Sequence, residues 1–206
     1  MIHTERARTA PRRTRIRRLR LVVLLVVLGA IAAGLGQEKA ASPVHVLGSE
    51  HRDGALGEAG GAVPDGTTSF DDDVPGVANL DAALLRALRR ASSDAAADGV
   101  ELVVNSGWRS PAYEEKLRRE AIAEHGSEAE AARWVATGTT SRHVSGDAVD
   151  IGPVDATPWL SAHGAAYGLC QIYANEPWHY ELRPDAAAHG CPAMYADPTQ
   201  DPRMQQ

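Results

Sequence analysis

The sequence predicts a single α+β domain in which helices flank a mostly antiparallel sheet, preceded by an N-terminal membrane or signal segment. The chain has 206 residues, of which 44% are apolar and 23% charged, a composition typical of one globular domain of roughly 100–200 residues with appended segments. The predicted helices and strands do not alternate regularly, which favours an α+β arrangement over a doubly wound parallel sheet. An arginine-rich start and an apolar run set the first 36 residues apart from the rest.

The N-terminal segment has the pattern of an export signal. Eight arginines and one glutamate lie within residues 1–20, and an uncharged, mainly aliphatic run fills residues 21–36. A basic region before an apolar run is typical of a signal peptide or a signal anchor. The run is at the short edge of the roughly 17–25 residues that span a bilayer, and residues 30–32 (Ala-Ile-Ala) offer a small-x-small cleavage pattern. In either case we expect the basic region in the cytoplasm and the rest outside it, anchored to the cell membrane or secreted.

The charge distribution excludes nucleic acid as a partner of the exported part. Residues 1–36 carry a net charge of +7, whereas the residues after them carry −13. An acidic domain has no surplus of basic side chains to neutralise a phosphate backbone. We also expect the protein to be monomeric.

The composition divides the exported part into a linker and a domain. Residues 37–66 are rich in glycine, alanine and serine and lack periodicity, which predicts a flexible linker before a domain over residues 67–206. Cys170 and Cys191 are the only cysteines of the chain. In an oxidising compartment, two cysteines favour one disulfide over a metal site, which usually needs further soft ligands.

The first helix and strand of the domain follow from capping and periodicity. Asn79 can cap a helix that ends at Gly99. Four apolar side chains share one face of this helix: Leu80, Leu84, Leu88 and Ala91. Residues 100–104 predict a short β-branched strand, and residues 105–107 (Asn-Ser-Gly) predict the turn after it.

Two further helices are predicted by their N-terminal signals. Ser110 as N-cap with Pro111 at the first helical position predicts a helix through about His125. Residues 127–130 (Ser-Glu-Ala-Glu) form a capping box, which predicts a third helix that ends near Gly138.

The last predicted helix begins at Thr157-Pro158 and ends at Gly168, and residues 169–173 follow it as a strand.

Large aromatic side chains are scarce in this chain, so we expect three of the tryptophans to fill the core: Trp108, Trp134 and Trp159.

The first segment with potential chemistry is residues 141–151 (SRHVSGDAVDI). Imidazole and carboxylate groups are suitable zinc ligands. His143 and Asp150 can share one ion only if the backbone turns between them, and residues 145–147 (Ser-Gly-Asp) predict that turn. Strand alternation after the turn directs Val149 and Ile151 to one side and Asp150 to the other.

The second segment is residues 175–182 (NEPWHYEL). Pro177 disfavours a helix here and predicts a loop that leads into a strand. His179 can supply a third metal ligand, which leaves the fourth zinc position to water, as in catalytic sites. Glu176 is well placed to accept the proton of that water. Glu181 shares the strand face of His179 and could orient its ring from behind.

These segments carry a family resemblance. Residues 141–150 match the pattern S-x-H-x-x-G-x-A-x-D at all five fixed positions, and residues 176–180 match E-x-W-H. With residues 106–110 (SGWRS) before them, the chain resembles the zinc D-alanyl-D-alanine carboxypeptidases of the VanY type, relatives of the VanX dipeptidases and of the hedgehog signalling domain. The resemblance extends over roughly residues 75–200 and implies a hedgehog/D,D-peptidase-like fold.

The resemblance implies one zinc ion bound by His143, Asp150 and His179, with Glu176 as general base. Its implied function is hydrolysis of the D-Ala-D-Ala terminus of peptidoglycan stem peptides, with attack by zinc-bound water. The peptidoglycan stem peptide is then the expected partner, outside the cytoplasm.

By the same resemblance, Arg109 contacts the substrate carbonyl or the developing oxyanion, and Ser141 and Trp178 line the substrate pocket. Asp147 occupies a variable position that is often uncharged, which leaves the substrate preference open. The alternatives are a D-Ala-D-Ala dipeptidase or a peptidoglycan endopeptidase on the same site, a non-catalytic zinc-bearing cell-wall binding module, and a membrane-tethered adaptor.

Overall fold

The computed structural model describes residues 54–205. The basic region 1–20, the apolar segment 21–36 and residues 37–53 of the expected linker therefore lie outside the described residues. Among residues 54–205, none of the helices is both long enough and apolar enough to cross a bilayer.

Helices and strands of the described part are numbered here in chain order. The α-helices are α1 (Pro75–Ala78), α2 (Ala82–Ala97), α3 (Pro111–His125), α4 (Glu128–Ala131), α5 (Thr157–Tyr167) and α6 (Ala186–His189). The strands are β1 (Val103–Ser106), β2 (Ala148–Gly152), β3 (Leu169–Gln171) and β4 (His179–Leu182). Short 3-10 helices lie at Glu58–Gly60, Val154–Ala156, Pro198–Gln200 and Pro202–Gln205.

The four strands form one antiparallel sheet in the order β1-β2-β4-β3. This arrangement confirms the predicted α+β class with an antiparallel sheet. In the register, Asp150 of β2 is paired with His179 of β4 on one side and with Ser106 of β1 on the other. Two of the predicted metal ligands are therefore neighbours on adjacent strands.

The main core lies between the sheet and α2. Val149, Ile151 and Tyr180 face α2 from the sheet and are at most 1% exposed. The apolar stripe of α2, including Leu84 and Leu88, is equally buried. Burial of Val149 and Ile151 anchors β2, so that the residue between them projects from the opposite face.

The start of α2 differs from the prediction. Asp81, and not Asn79, caps this helix, because its Oδ1 accepts hydrogen bonds from the backbone N–H groups of Ala83 (2.8 Å) and Leu84 (3.1 Å). Asn79 instead ends α1, where its side-chain amide donates to the carbonyl of Pro75.

Two strands also have different bounds. The first strand was predicted at residues 100–104 but occupies Val103–Ser106, because residues of the expected turn pair with β2. The strand predicted at residues 169–173 ends at Gln171, since Tyr173 leaves the sheet to form a bridge with Tyr195.

The predicted third helix is much shorter than its capping box suggested. Ser127 does cap it, accepting a hydrogen bond from the backbone N–H of Glu130 at 3.2 Å, but α4 ends at Ala131. Two residues after this end, Arg133 makes hydrogen bonds with other parts of the chain. Its backbone carbonyl accepts from Asn175 Nδ2, and its Nε donates to Asp197 Oδ2. The other two predicted helix starts, at Ser110 and at Thr157-Pro158, are confirmed.

Part of the expected linker packs against the domain. The carbonyl of Gly60 accepts a hydrogen bond from the backbone N–H of Ser110 at 2.8 Å. A Cβ atom on Gly61, whose φ is +107°, would lie 2.2 Å from the carbonyl oxygen of Trp108. Glycine allows this close approach of two backbones. The compact structure therefore begins before residue 67.

A disulfide joins Cys170 of β3 to Cys191, with the Cα atoms 5.5 Å apart. It ties the sheet edge to the segment after α6, which leads to the C-terminal 3-10 helices.

Candidate metal centre and active-site cleft

The structure brings the three predicted ligands into one buried cluster. His143 Nε2 lies 3.4 Å from Asp150 Oδ1, His179 Nδ1 lies 3.3 Å from the same oxygen, and the two ring nitrogens are 3.3 Å apart. The three residues are between 4% and 8% exposed. Three donor atoms therefore form a nearly equilateral triangle in the interior.

The dimensions of this triangle suit a tetrahedral zinc ion. Zinc bonds of roughly 2.0–2.1 Å at tetrahedral angles place neighbouring ligand atoms roughly 3.3–3.4 Å apart. Asp150 Oδ1 is buried and has no hydrogen-bond partner in the described part of the protein, which is costly for a carboxylate oxygen unless a cation is bound there. Two imidazoles and one carboxylate are also a common zinc donor set.

His143 is oriented by the backbone of Gly107. Its Nδ1 lies 2.8 Å from the Gly107 carbonyl oxygen, so Nδ1–H donates and the Nε2 lone pair faces the cluster. A Cβ atom on Gly107 would lie 2.0 Å from the carbonyl oxygen of Gly76, so no larger residue fits there. The predicted turn after His143 is confirmed, with Gly146 at a φ of +76° and its N–H bonded to the His143 carbonyl.

His179 is oriented by Glu181, as the strand alternation suggested. Its Nε2 is 3.4 Å from Glu181 Oε1, which leaves Nδ1 facing Asp150. Glu181 is fully buried and accepts hydrogen bonds from Arg183 (2.8 Å) and Arg203 (2.7 Å). Burial alone would raise the pKa of Glu181, but its hydrogen bonds with His179 and Arg203 hold that pKa well below its usual value. Glu181 therefore remains a carboxylate behind His179.

Glu176 lies beside the triangle without belonging to it. Its Oε2 is 3.7 Å from His179 Nδ1, and its Oε1 is buried with no hydrogen-bond partner among the described residues. Burial raises the pKa of Glu176 to about 8, although nearby His179 opposes the shift. A carboxyl group whose pKa is near neutrality can both accept and return a proton.

Arg109 connects Asp150 to a residue that the sequence analysis did not identify. Its Nη2 donates to Asp150 Oδ2 and its Nη1 to Glu114 Oε2, both at 3.0 Å, while its Nε donates to Ser106 Oγ at 2.8 Å. Glu114 is 1% exposed. Acidic residues are common in the first turn of a helix, because their negative charge interacts favourably with the helix dipole. The position of Glu114 in the sequence therefore did not distinguish it from a surface residue.

A cleft of about 520 Å³ opens over the triangle. Trp178 and Trp134 line it and are 37% and 38% exposed. The prediction that Trp134 fills the core was wrong: α4 ends before it, and its indole stacks on His125 at the edge of the cleft. Ser141 also lines the cleft, and its Oγ accepts a hydrogen bond from the backbone N–H of His143 at 3.2 Å.

Asp147, the less typical residue of the first motif, does not line the cleft. Its carboxylate accepts a hydrogen bond from Ser145 Oγ at 2.7 Å and lies 3.6 Å from Arg142 Nη2. The predicted site residues that do meet around the cleft are Arg109, Ser141, His143, Asp150, Glu176, Trp178 and His179.

Comparison with known proteins identifies the family. The family model described as VanY, D-alanyl-D-alanine carboxypeptidase, matches residues 77–185. A D-alanyl-D-alanine carboxypeptidase of Enterococcus faecalis is 33% identical in an alignment of 111 positions, and the match covers 42% of this chain and 41% of that protein. The match thus spans less than half the length of this relative.

Two solved structures show the corresponding fold. VanYB in complex with D-alanine-D-alanine is 29% identical with a TM-score of 0.50, and the match covers 53% of this chain and 75% of that one. The LdcB LD-carboxypeptidase has the same TM-score at 22% identity, and the match covers 62% of this chain and 71% of that one. Because the family model covers more than half of the sequence and includes all three buried donors, the chain belongs to the VanY D-alanyl-D-alanine carboxypeptidase family.

Proposed function

We propose that the protein is a zinc-dependent D-alanyl-D-alanine carboxypeptidase that hydrolyses the D-Ala-D-Ala terminus of peptidoglycan stem peptides. The observation that carries the proposal is the buried Glu176 carboxyl beside the donor triangle of His143, Asp150 and His179, at the base of an open cleft. The related VanYB structure contains D-alanine-D-alanine. Such a substrate lies outside the cytoplasm, in agreement with the export expected from residues 1–36.

The triangle would hold one zinc ion. When bound, zinc would act as a Lewis acid, which lowers the pKa of a water molecule at the site and polarises a peptide carbonyl. Asp150 contributes one oxygen to the triangle, while Arg109 holds its other oxygen at 3.0 Å. This contact prevents the carboxylate from rotating and fixes which oxygen faces the ion.

Glu176 is the proposed proton carrier. It accepts a proton from the attacking water and delivers it to the amine of the departing D-alanine, which requires a pKa near the working pH. Burial raises the pKa of Glu176, and a zinc ion bound beside it would lower that pKa towards the range in which the carboxylate accepts a proton. Its Oε1 accepts no hydrogen bond from any group within residues 54–205, so it is available as an acceptor.

Arg109 is the proposed oxyanion donor. A guanidinium group has five N–H donors, and Ser106, Glu114 and Asp150 accept from three of them. The remaining N–H groups are available to the carbonyl oxygen as it gains negative charge. We assign Ser141 and Trp178 to the substrate pocket, because both line the cleft.

The test is to incubate the purified full-length chain with a pentapeptide ending in D-Ala-D-Ala, with and without a chelator, and to identify the products by mass. We expect release of a single D-alanine that stops on chelation and returns when zinc is added. Cleavage of free D-Ala-D-Ala but not of the pentapeptide would identify a dipeptidase, and release of the intact dipeptide from the pentapeptide would identify cleavage at an internal bond, as by an endopeptidase. Binding without cleavage would identify a binding module. The same peptide ending in D-Ala-L-Ala is the control for stereochemistry at the terminal residue.

A further inference from the structure

The C-terminal segment, residues 201–205, reaches the metal centre although it lies beyond the region that matches the family model. Asp201 is fully buried, and Met204 lines the cleft. Between them, Arg203 extends its side chain to Glu181, the residue behind His179. The end of the chain therefore packs directly against the group that orients a candidate ligand.

Among the described arginines near Glu181, Arg203 contacts both of its carboxylate oxygens. Its Nη1 donates to Oε2 at 2.7 Å and its Nη2 contacts Oε1 at 3.3 Å. Arg183 reaches only Oε2, at 2.8 Å, and Arg142 is 3.9 Å from it. A bidentate guanidinium–carboxylate pair restricts rotation of the carboxylate more strongly than a single contact does. Arg203 therefore sets the direction in which Oε1 points.

Asp201 holds Arg203 in this position. Both Asp201 oxygens accept from Arg203 Nε at 3.0 Å, and Oδ2 also accepts from the hydroxyl of Tyr173 at 3.0 Å. Burial alone would raise the pKa of Asp201, but Arg203 and Tyr173 hold it below its usual value. The Tyr173 ring lies 5.0 Å from the ring of His179. The contacts therefore lead from His179 through Glu181, Arg203, Asp201 and Tyr173 back to the His179 ring.

We propose that Arg203 and Asp201 are positioning residues of the metal centre, which fix the His179 ring through Glu181 and Tyr173. With Glu181 Oε1 held in place, His179 carries its proton on Nε2 and directs the Nδ1 lone pair to the centre of the donor triangle, where the metal ion would bind. The inference rests on the proposed metal site but not on peptidase activity. The substrate makes no contact with either residue in this role.

Zinc affinity tests the proposal directly. In Arg203→Met the guanidinium is lost and most of the apolar side chain remains, and in Arg203→Lys the charge remains without the bidentate geometry. Competition with a chromophoric chelator should show a zinc Kd about 10–100-fold higher for Arg203→Met and a smaller rise for Arg203→Lys. Asp201→Asn, which is nearly isosteric, should also raise the Kd. Arg86→Met, at an exposed arginine of α2 that does not line the cleft, is the matched control and should leave the Kd unchanged.

A second measurement separates positioning from general stabilisation. In the zinc-loaded protein, ¹⁵N NMR should detect an Nε2–H of the His179 ring that exchanges slowly with water in the parent chain and in Arg86→Met. In Arg203→Lys and Asp201→Asn that proton should exchange markedly faster while the domain remains folded. Parent-like zinc Kd values and Nε2–H exchange rates in these two folded variants would overturn the proposal. Because neither readout uses a peptide, a protein that binds zinc but releases no D-alanine would refute the proposed function and leave this inference intact.

Discussion

Replacement of Glu176 by glutamine separates proton transfer from metal binding. The amide has the shape of the carboxyl group, so the cleft and its burial are preserved, but it cannot accept a proton. A positioned general base typically contributes about 10²–10⁴ in rate, which corresponds to about 3–5 kcal/mol of activation free energy. We expect Glu176→Gln to lower kcat for D-alanine release by that factor. The fold should keep nearly the same stability, because a neutral amide of the same size replaces the buried carboxyl group.

Zinc should remain bound in this variant, because Glu176 is not one of the three donors that form the triangle. The assay is kcat from the quantity of released D-alanine, with zinc content measured on the same samples. Glu120→Gln is the matched control, since Glu120 is an exposed glutamate that also lines the cleft. Loss of zinc from Glu176→Gln, or a rate within a few fold of the parent, would refute the role assigned to Glu176.

Three further variants test the surroundings of the site. Arg109→Met should lower the rate of D-alanine release about 10²–10³-fold if Arg109 stabilises the oxyanion. The same variant should lower the free energy of unfolding by about 3–5 kcal/mol, because Glu114 then stays buried without its cation. Urea denaturation measures that loss, and the double variant Arg109→Met/Glu114→Gln should recover part of the stability but not the rate. Replacement of both Cys170 and Cys191, which are 21 residues apart, by serine should lower the free energy of unfolding by about 3 kcal/mol in the same experiment. An unchanged urea midpoint would contradict this stabilising role of the disulfide. Gly107→Ala should raise the zinc Kd, because a Cβ atom 2.0 Å from the Gly76 carbonyl would displace the Gly107 carbonyl that orients His143; an unchanged Kd would show that this orientation is not needed.

The sequence predicted the local geometry of the candidate ligands, whereas the resemblance to the VanY type joined His143, Asp150 and His179 into one donor set. In residues 143–150 a glycine turn reverses the backbone, and strand alternation then separates Asp150 from its buried neighbours. The residues around His179 contain a proline that excludes a helix and a strand pattern that places Glu181 behind the ring. Each of these signals acts over fewer than ten residues, so each could be read from the sequence without knowledge of the tertiary structure.

The residues that the sequence analysis missed depend on contacts between distant parts of the chain. Arg203 meets Glu181 across 22 positions, and Glu114 joins the site only through Arg109, which meets Asp150 across 41. Nothing near Arg203 in the sequence distinguishes it from a surface arginine. The early end of α4 has the same origin, because Asn175 binds the carbonyl of Arg133 across 42 positions and competes with further helix formation. Tertiary contacts of this kind override a capping box whose local pattern was correct.

The three donors share one further property, which bears on how the site binds metal. Each is held through its second polar atom by a different part of the fold: His143 by the Gly107 carbonyl, Asp150 by Arg109, and His179 by Glu181. These contacts come from the fold and not from the ion, so we expect zinc binding to require little rearrangement of the protein. Zinc should accordingly stabilise the fold only by mass action, so that its effect on the unfolding free energy follows RT ln(1 + [Zn²⁺]/Kd). A site that folded around its metal would instead lose its native structure on chelation, whereas here the chelated domain should retain its circular dichroism spectrum and unfold cooperatively.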